Sequence, residues 1–293
     1  MDADFHREHL LDEEFSFPAA LSMAQASALA YEVDELLLRS VISGWGLETA
    51  AIFNEADTEG FIAQDDELVI LAFRGTVSTT DWLRNLKISR KESPLGKIHR
   101  GFQEGLDAVW DDPIETVLRE LAGSDRKVWI TGHSLGGALA TLAAARASEW
   151  LDIAGVYTFG QPLVGNRRFA KLFNRRFRDR FHRFVNDGDI VPKVPPAPLY
   201  AHVDQRFHFD TEGGIIEEAL GRGDGDEAEP EALSEDEFEL MQQLLDQHDQ
   251  IAESGEAGER GLLPELPFMS GIADHNMANG YIPKLRKQVE ELG

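Results

Sequence analysis

Short, continuous apolar runs recur along the first two thirds of the chain. Glu67–Phe73 is the clearest of them, and Val128–Thr131, Gly155–Phe159 and, more weakly, Phe181–Val185 resemble it. Unbroken apolar runs of this length are typical of strands that are covered on both faces of a sheet. These four segments are therefore predicted to be buried central strands.

Helical patterns separate the strand-like runs. They cover Phe102–Val109, Pro113–Leu121, Leu135–Trp150 and Arg167–Arg176. Upstream, two further strand-like runs, Thr49–Asn54 and Phe61–Ala63, follow apolar residues at helical spacing between Ala20 and Leu38, with Ser16 or Ser22 as possible caps. Strands that alternate with helices of about 10–15 residues predict an α/β fold with a mostly parallel central sheet.

Acidic residues are concentrated in one segment. The formal net charge is −25, and residues 210–260 hold 18 of the 53 acidic residues but only two of the 28 basic ones. Nucleic acid is disfavoured as a partner, because binding it depends on Lys and Arg that replace counterions. A strongly anionic membrane is also disfavoured as an electrostatic target, because its negative charge would repel a net negative chain. The sequence predicts one domain over residues 1–293, with an acidic insertion at about 210–262.

The insertion itself has two parts. Gly221–Glu231 has no aliphatic residue larger than Ala, which predicts a solvated linker. Ser234 and Glu237 then have the spacing of a capping box. A helix is predicted over about Glu235–Ala252, with one apolar face formed by Phe238, Met241, Leu244, Leu245, His248 and Ile251.

The run Thr-Gly-His-Ser-Leu-Gly-Gly at Thr131–Gly137 follows a short apolar strand and opens an Ala-rich helix. A Gly-x-Ser-x-Gly run in this strand–turn–helix context is typical of a nucleophile elbow, which makes Ser134 the candidate nucleophile. The backbone N–H of Leu135 then lies at a helix N-terminus, where it can bind an oxyanion. A Gly-rich start of an ordinary helix is the alternative.

A second oxyanion donor must come from another loop. Phe73–Thr76 (Phe-Arg-Gly-Thr) ends a predicted buried strand, and Gly75 allows close approach of the backbone. Thr76, which offers both an N–H and a hydroxyl, is the candidate. An ordinary polar loop with Arg74 as a structural tie remains the alternative.

Several motifs in register resemble the class 3 lipase family. The resemblance covers roughly Ser22–Pro196 and Gly271–Leu285. The matching motifs are Phe73–Thr76, Asp81–Leu86, Ile98–Phe102, Gly132–Gly137, Thr158–Asn166, Asp189–Pro192 and Asp274–His275. The resemblance implies an α/β-hydrolase fold, no cofactor, and cleavage of lipid esters through a Ser-Asp-His triad and an acyl-enzyme.

The same resemblance implies which acid and base serve Ser134. The family places its acid immediately before an Ile/Val-Val-Pro run, which favours Asp189 over Asp187. His275, in Asp-His-Asn-Met-Ala-Asn-Gly-Tyr, resembles the family's catalytic base. The other histidines that follow the acid are alternatives: His202, His208 and His248.

In family members a lid follows the oxyanion strand, which here corresponds to residues 77–97. That segment mixes apolar and basic residues and would suit a flap that opens at a lipid–water interface; a plain surface loop is the alternative. A triacylglycerol lipase is the leading substrate prediction. Phospholipase A1, mono- or diacylglycerol lipase and short-chain or feruloyl-type esterase are alternatives, and a serine peptidase or a non-enzymatic acidic interaction protein would belong to other classes.

Further expectations concern location and regulation. Met1–Phe17 is charged and lacks an apolar stretch, which favours a cytoplasmic protein, with a secreted mature form as the alternative. No transmembrane segment or metal-ligand spacing stands out, there is no Cys, and the oligomeric state is open. We expect the acidic helix to cover part of the acyl site and to disfavour anionic lipids and fatty-acid product.

Overall fold

The computed structural model describes residues 4–121, 125–203, 206–219, 232–254 and 268–292. The predicted linker at Gly221–Glu231 lies outside these ranges.

An eight-stranded sheet forms the centre of the molecule, and its strands lie in the order β1-β2-β3-β6-β7-β8-β9-β10. These strands are β1 (Glu48–Glu55), β2 (Thr58–Gln64), β3 (Leu68–Phe73), β6 (Lys127–His133), β7 (Gly155–Phe159), β8 (Phe181–Asn186), β9 (Arg206–Phe209) and β10 (Ile215–Ala219). β3, β6, β7, β8 and β9 pair in parallel, whereas β1–β2, β2–β3 and β9–β10 pair antiparallel. The predicted, mostly parallel sheet is confirmed. A separate hairpin joins β4 (Arg90–Ser93) to β5 (Gly96–His99).

Helices cover both faces of the sheet, as predicted. They are α1 (Phe17–Leu29), α2 (Glu35–Gly44), α3 (Thr79–Asn85), α4 (Arg100–Val109), α5 (Thr116–Leu121), α6 (Leu135–Ala147), α7 (Arg167–Phe177), α8 (Glu235–Ser254), α9 (Met269–Asp274) and α10 (Ile282–Glu290). Shorter helical turns lie at Arg7–Leu10, Trp110–Glu115, Val191–Lys193 and Met277–Tyr281.

The central strand β3 shows why its sequence is apolar throughout. Val69, Leu71 and Phe73 point into a core shared with α4 and α6, while Leu68 and Ile70 point into a second core shared with α1 and α10. Because successive side chains of a strand face opposite ways, a strand between two cores has no polar position.

The N-terminal helical pattern is two helices rather than one. Ser16, not Ser22, caps α1, since its hydroxyl accepts the N–H of Ala19. The chain leaves the helix at Ala30, and Asp34 then caps α2 by accepting the N–H groups of Leu36 and Leu37. A strong N-cap residue inside the pattern thus outweighs the apolar periodicity.

The acidic insertion contains structure that packs on the domain. The N–H of Ser234 donates to the Glu237 carboxylate at 2.8 Å, and the N–H of Glu237 donates to the Ser234 hydroxyl at 3.3 Å, so the predicted capping box is present. Phe238, Met241 and Leu245 of α8 are buried in the same core as β3 and α4. The predicted helix therefore has the apolar burial that its pattern required.

Candidate active site

Ser134 lies at the turn between β6 and α6 in a conformation that L-residues rarely adopt, with φ of 58° and ψ of −130°. The turn is tight enough to need its glycines. A Cβ on Gly132 would lie 2.2 Å from the backbone of Gly136, and a Cβ on Gly136 would lie 2.4 Å from the backbone oxygen of Phe73. Strain of this kind is typical of functional turns, because the fold must hold it in place.

Leu135 is the first residue of α6 and is half-buried. N–H groups in the first turn of a helix lack intrahelical acceptors and carry partial positive charge. The amide of Leu135 is therefore available to an oxygen bound beside Ser134.

The loop after β3 passes directly alongside Ser134. A Cβ on Gly75 would lie 2.9 Å from Cβ of Ser134 and 2.5 Å from the backbone oxygen of His133. Thr76, which follows, is half-buried. The Arg74 side chain, in an ion pair with Glu59, holds the loop on β2. The two sequence-predicted oxyanion donors, Thr76 and Leu135, thus lie on the two segments that meet at Ser134.

Asp189 is fully buried in the turn after β8. Its carboxylate accepts hydrogen bonds from Nδ1 of His275 at 2.8 Å, from the Tyr281 hydroxyl at 2.6 Å and from the N–H of Val191 at 2.9 Å. The alternative acid, Asp187, occupies a turn at φ of 37°, and its backbone oxygen accepts from Nε2 of His208.

His275 lies between α9 and the turn Met277–Tyr281, and 2% of its surface is exposed. The Asp189 carboxylate accepts only, so Nδ1 carries a proton when the ring is neutral. Nε2 then has its lone pair free; it is buried and has no hydrogen-bond partner among the described residues. Gly160 brings this ring near the elbow, because a Cβ there would lie 2.6 Å from the His275 ring, and Ser134 donates its N–H to the adjacent Phe159.

Two of the remaining candidate histidines, His202 and His208, are engaged elsewhere. Nε2 of His202 lies 2.6 Å from the backbone oxygen of Pro192, and burial keeps the pKa of His202 well below its usual range. His208 contacts the Asp187 backbone, and His248 lies half-buried on α8. Of these histidines, His275 is the one with a carboxylate on Nδ1 and an unused Nε2.

Two tyrosines near the site were missed by sequence reasoning. Tyr281 donates to Asp189 and accepts the N–H of Asn186 at 3.1 Å, so one hydroxyl joins the acid to the end of β8. Burial, with the neighbouring carboxylate, raises the pKa of Tyr281, which keeps the donating proton in place. Tyr281 is the last residue of the Asp-His-x-x-x-x-x-Tyr motif, so the sequence contained a signal that could have identified it. Tyr31, which contacts His133, lies in no such motif.

The site is covered: Ser134 is 1% exposed. The segment predicted as a lid, 77–97, contains α3 and most of the β4–β5 hairpin. Beneath it, a cavity of about 480 Å³ reaches from Trp82 across Phe102 to Leu135.

The insertion helix α8 lies against α3. The side-chain amide of Gln242 donates to the backbone oxygens of Leu83, Arg84 and Leu86 at 2.9–3.0 Å, at the end of α3. Arg84 also pairs with Asp249 and Asp81, and its Nε lies 4.0 Å from Asp246. The predicted lid and the predicted acidic helix are thus in direct contact.

Within the ranges given above, no group of three or more His, Asp or Glu side chains is placed to hold a metal ion. No helix in those ranges is long and apolar enough to cross a bilayer.

Comparisons with known proteins agree on one family. Residues 70–199 match the family described as Lipase (class 3). A lipase of Rhizomucor miehei is 33% identical over 163 residues, which are 52% of this chain and 45% of that protein. A chloroplastic phospholipase A(1) of Arabidopsis thaliana is 33% identical over 154 residues, 45% of this chain and 34% of that protein.

A solved structure of the Rhizomucor miehei triacylglyceride lipase superimposes with a TM-score of 0.57 at 27% identity, covering 67% of this chain and 80% of that one. The chain spans less than half the length of the two curated relatives. The sheet is that of the α/β hydrolases, with a strained serine turn between β6 and α6. On this evidence residues 70–199, which include Ser134 and Asp189, are a region of the class 3 lipase family.

Proposed function

We propose that this chain is a serine carboxylic ester hydrolase that acts on lipid esters, of the triacylglycerol lipase type. In this proposal Ser134 is the nucleophile, His275 the base, Asp189 the acid, and Thr76 and Leu135 the oxyanion donors. The observation that supports it is the buried Asp189–His275 pair at 2.8 Å, because this pair leaves Nε2 of His275 without a partner among the described residues.

The reaction follows from the hydrogen-bond directions. Asp189 holds the proton of His275 on Nδ1, so Nε2 can accept the Ser134 proton while Oγ attacks the ester carbonyl. The negative charge that develops on the carbonyl oxygen is stabilised by the N–H groups of Thr76 and Leu135. The imidazolium then gives its proton to the leaving alcohol. Water, deprotonated by the same Nε2, hydrolyses the acyl-enzyme and regenerates Ser134.

The cavity beneath α3 supports an apolar acyl group as substrate. Trp82 and Phe102 stack with ring centroids 6.4 Å apart, and Leu135 is the residue next to the nucleophile. The lining is mixed, because polar and charged residues such as Lys87 and Glu104 also border the cavity. Its apolar part favours a long acyl chain over an acetyl group. Phospholipase A1 is the second candidate, since one relative carries that name.

We further propose that 77–97 is a lid and that α8 holds it closed over a lipid site within the single domain. The contacts of Gln242 and Arg84 join α8 to α3, and the site beneath them is almost fully buried. A lipid–water interface would compete for the apolar side chains under α3 and favour the open form. The exposed carboxylates of α8 would then face the lipid and disfavour anionic headgroups.

One substrate panel separates the candidate functions. Release of fatty acid from emulsified triacylglycerol and from long-chain p-nitrophenyl esters is expected, with loss of turnover in Ser134→Ala. Preferential cleavage of phosphatidylcholine would indicate phospholipase A1, aryl hydroxycinnamate cleavage a feruloyl-type esterase, and p-nitroanilide cleavage a peptidase. If no substrate is hydrolysed, the proposal fails, and the result favours the alternative of a non-enzymatic acidic interaction protein.

The choice of base has its own matched pair. His275→Ala should abolish turnover, because it removes the Nε2 that accepts the Ser134 proton in this proposal. His202→Ala removes a buried histidine of similar exposure and should leave the chemical step intact. Loss of turnover only in the His202 variant would contradict the assignment.

A further inference from the structure

A line of two hydrogen bonds and one close packing contact joins the segments that meet beside Ser134, and the proposed reaction steps do not use it. Nδ1 of His133 lies 2.8 Å from the Tyr31 hydroxyl, and Nε2 of the same ring lies 2.7 Å from the backbone oxygen of His275. The backbone of Gly75 packs directly against the same hydroxyl. The line therefore runs from the loop that carries Thr76 to the residue that carries the free Nε2.

Each hydrogen bond in this line has one possible direction. A backbone oxygen only accepts, so Nε2 of His133 must carry a proton. Burial keeps the pKa of His133 well below its usual range, so the ring is neutral and has a single N–H. Nδ1 is then an acceptor, and Tyr31 donates to it. Burial also raises the pKa of Tyr31, so its hydroxyl retains the proton that it donates.

Close packing leaves these groups little freedom. A Cβ on Gly75 would lie 2.3 Å from the Tyr31 hydroxyl, so the hydroxyl rests directly on the loop backbone. The rings of His133 and His275 lie 4.4 Å apart between centroids. Tyr31 itself is fixed in the turn after α1 by a hydrogen bond from its N–H to the backbone oxygen of Ala28 at 3.1 Å.

We propose that Tyr31 and His133 are positioning residues that set His275 and the Gly75–Thr76 loop at a fixed distance from Ser134. This inference rests on the proposed ester hydrolysis. The Asp189 contact holds one edge of the His275 ring, and the ring could still tilt about that contact. The His133 N–H donates to the backbone oxygen of His275, so His275 is held both at its ring and at its backbone. The same line fixes the loop on which the Thr76 donor lies.

The experiment removes the hydroxyl of the half-buried Tyr31 and, separately, that of the fully buried Tyr157, with the enzyme folded in each case. Tyr31→Phe removes the donor to Nδ1, and Tyr157→Phe, in the interior of β7, is the matched control. We expect kcat on a soluble p-nitrophenyl ester to fall about tenfold in Tyr31→Phe with KM unchanged, because misplacing the base slows the chemical step and not binding. Labelling of Ser134 by a fluorophosphonate should slow by the same factor. Tyr157→Phe should match the wild type in both measurements.

A double-mutant cycle tests whether the two residues act as one unit. His133→Gln keeps a side-chain N–H donor and lacks an acceptor at the Nδ1 position. If Tyr31 acts through His133, adding Tyr31→Phe to His133→Gln should change kcat by less than about twofold. If the reductions in kcat of the two single variants multiply in the double variant, Tyr31 does not act through His133.

The failures of this inference and of the proposed function are distinguishable. Wild-type turnover with an unaltered kcat in folded Tyr31→Phe would overturn the positioning role alone. Absence of wild-type turnover and of labelling would overturn both.

Discussion

Replacing Gln242 by Ala tests whether the insertion helix controls access to Ser134. The amide of Gln242 is the polar group of α8 that contacts the last backbone oxygens of α3. Those oxygens have no helical partner of their own. Its neighbour Gln243 is exposed on the same helix, so Gln243→Ala is a matched control with the same chemistry removed.

The magnitude follows from the number of donors. One amide nitrogen has two N–H groups, so at most two of the three contacts are fully formed at one time. Each exchanged hydrogen bond contributes about 1 kcal/mol net, so one to two formed bonds give about 1–2 kcal/mol for the closed form. Losing that amount changes the ratio of closed to open molecules by a factor of about 5–30. The ion pairs of Arg84 are partly exposed and contribute less.

Initial rates on dissolved p-nitrophenyl butyrate and on emulsified tributyrin provide the assay. We expect Gln242→Ala to hydrolyse the dissolved ester about 5–30 times faster than the wild type, because more molecules are open without an interface. Its rate on the emulsion should change little, since the interface already favours the open form. Gln243→Ala should behave as the wild type. A folded Gln242→Ala whose rate on dissolved ester is unchanged or lower would refute the lid contact.

Three further outcomes are expected. Tyr281→Phe, which leaves Asp189 with one donor fewer, should lower kcat about tenfold with little change in KM, measured on the dissolved ester. His182 is buried, and burial lowers its pKa to about 3, whereas its pKa in the unfolded chain is near 6.5. Between these two values the unfolded chain binds the proton and the folded protein does not. The free energy of unfolding is therefore unaffected by His182 above pH 6.5 and falls as the pH drops toward 3. In urea titrations, the free energy of unfolding of His182→Phe should therefore fall by about 2 kcal/mol less than that of the wild type when the pH is lowered from 8 to 5. The exposed carboxylates of α8 are those of Glu235, Asp236 and Glu239. Replacing them by neutral amides should raise the rate of hydrolysis on vesicles that contain anionic lipid, relative to the rate on neutral vesicles. An unchanged ratio of the two rates would leave the acidic helix without a role in lipid choice.

The elbow could be read from the sequence because its determinants are local. Gly132 and Gly136 lie two residues from Ser134, and their need for a missing Cβ follows from a tight turn between any strand and helix. Asp189 and His275 are 86 residues apart, and their pairing was expected from the family resemblance and not from chemistry within either segment.

Contacts between distant segments without a motif could not be predicted. Tyr31 and His133 are 102 residues apart, and Tyr31 lies in a turn that breaks a helical pattern. The start of α8 followed from its capping box, and its apolar face indicated that something is buried. Neither feature identified α3 as the partner, because Gln242 is one polar residue among several on that helix.

The role of Ser134 as the nucleophile of an ester hydrolase underlies every step of the proposed reaction. Treatment of the folded protein with a fluorophosphonate, followed by intact mass and peptide mapping, tests it most directly. We predict one adduct per chain, on Ser134, with loss of ester turnover in step with labelling and no adduct in Ser134→Ala. An adduct on another residue, or turnover that survives in Ser134→Ala, would contradict the account.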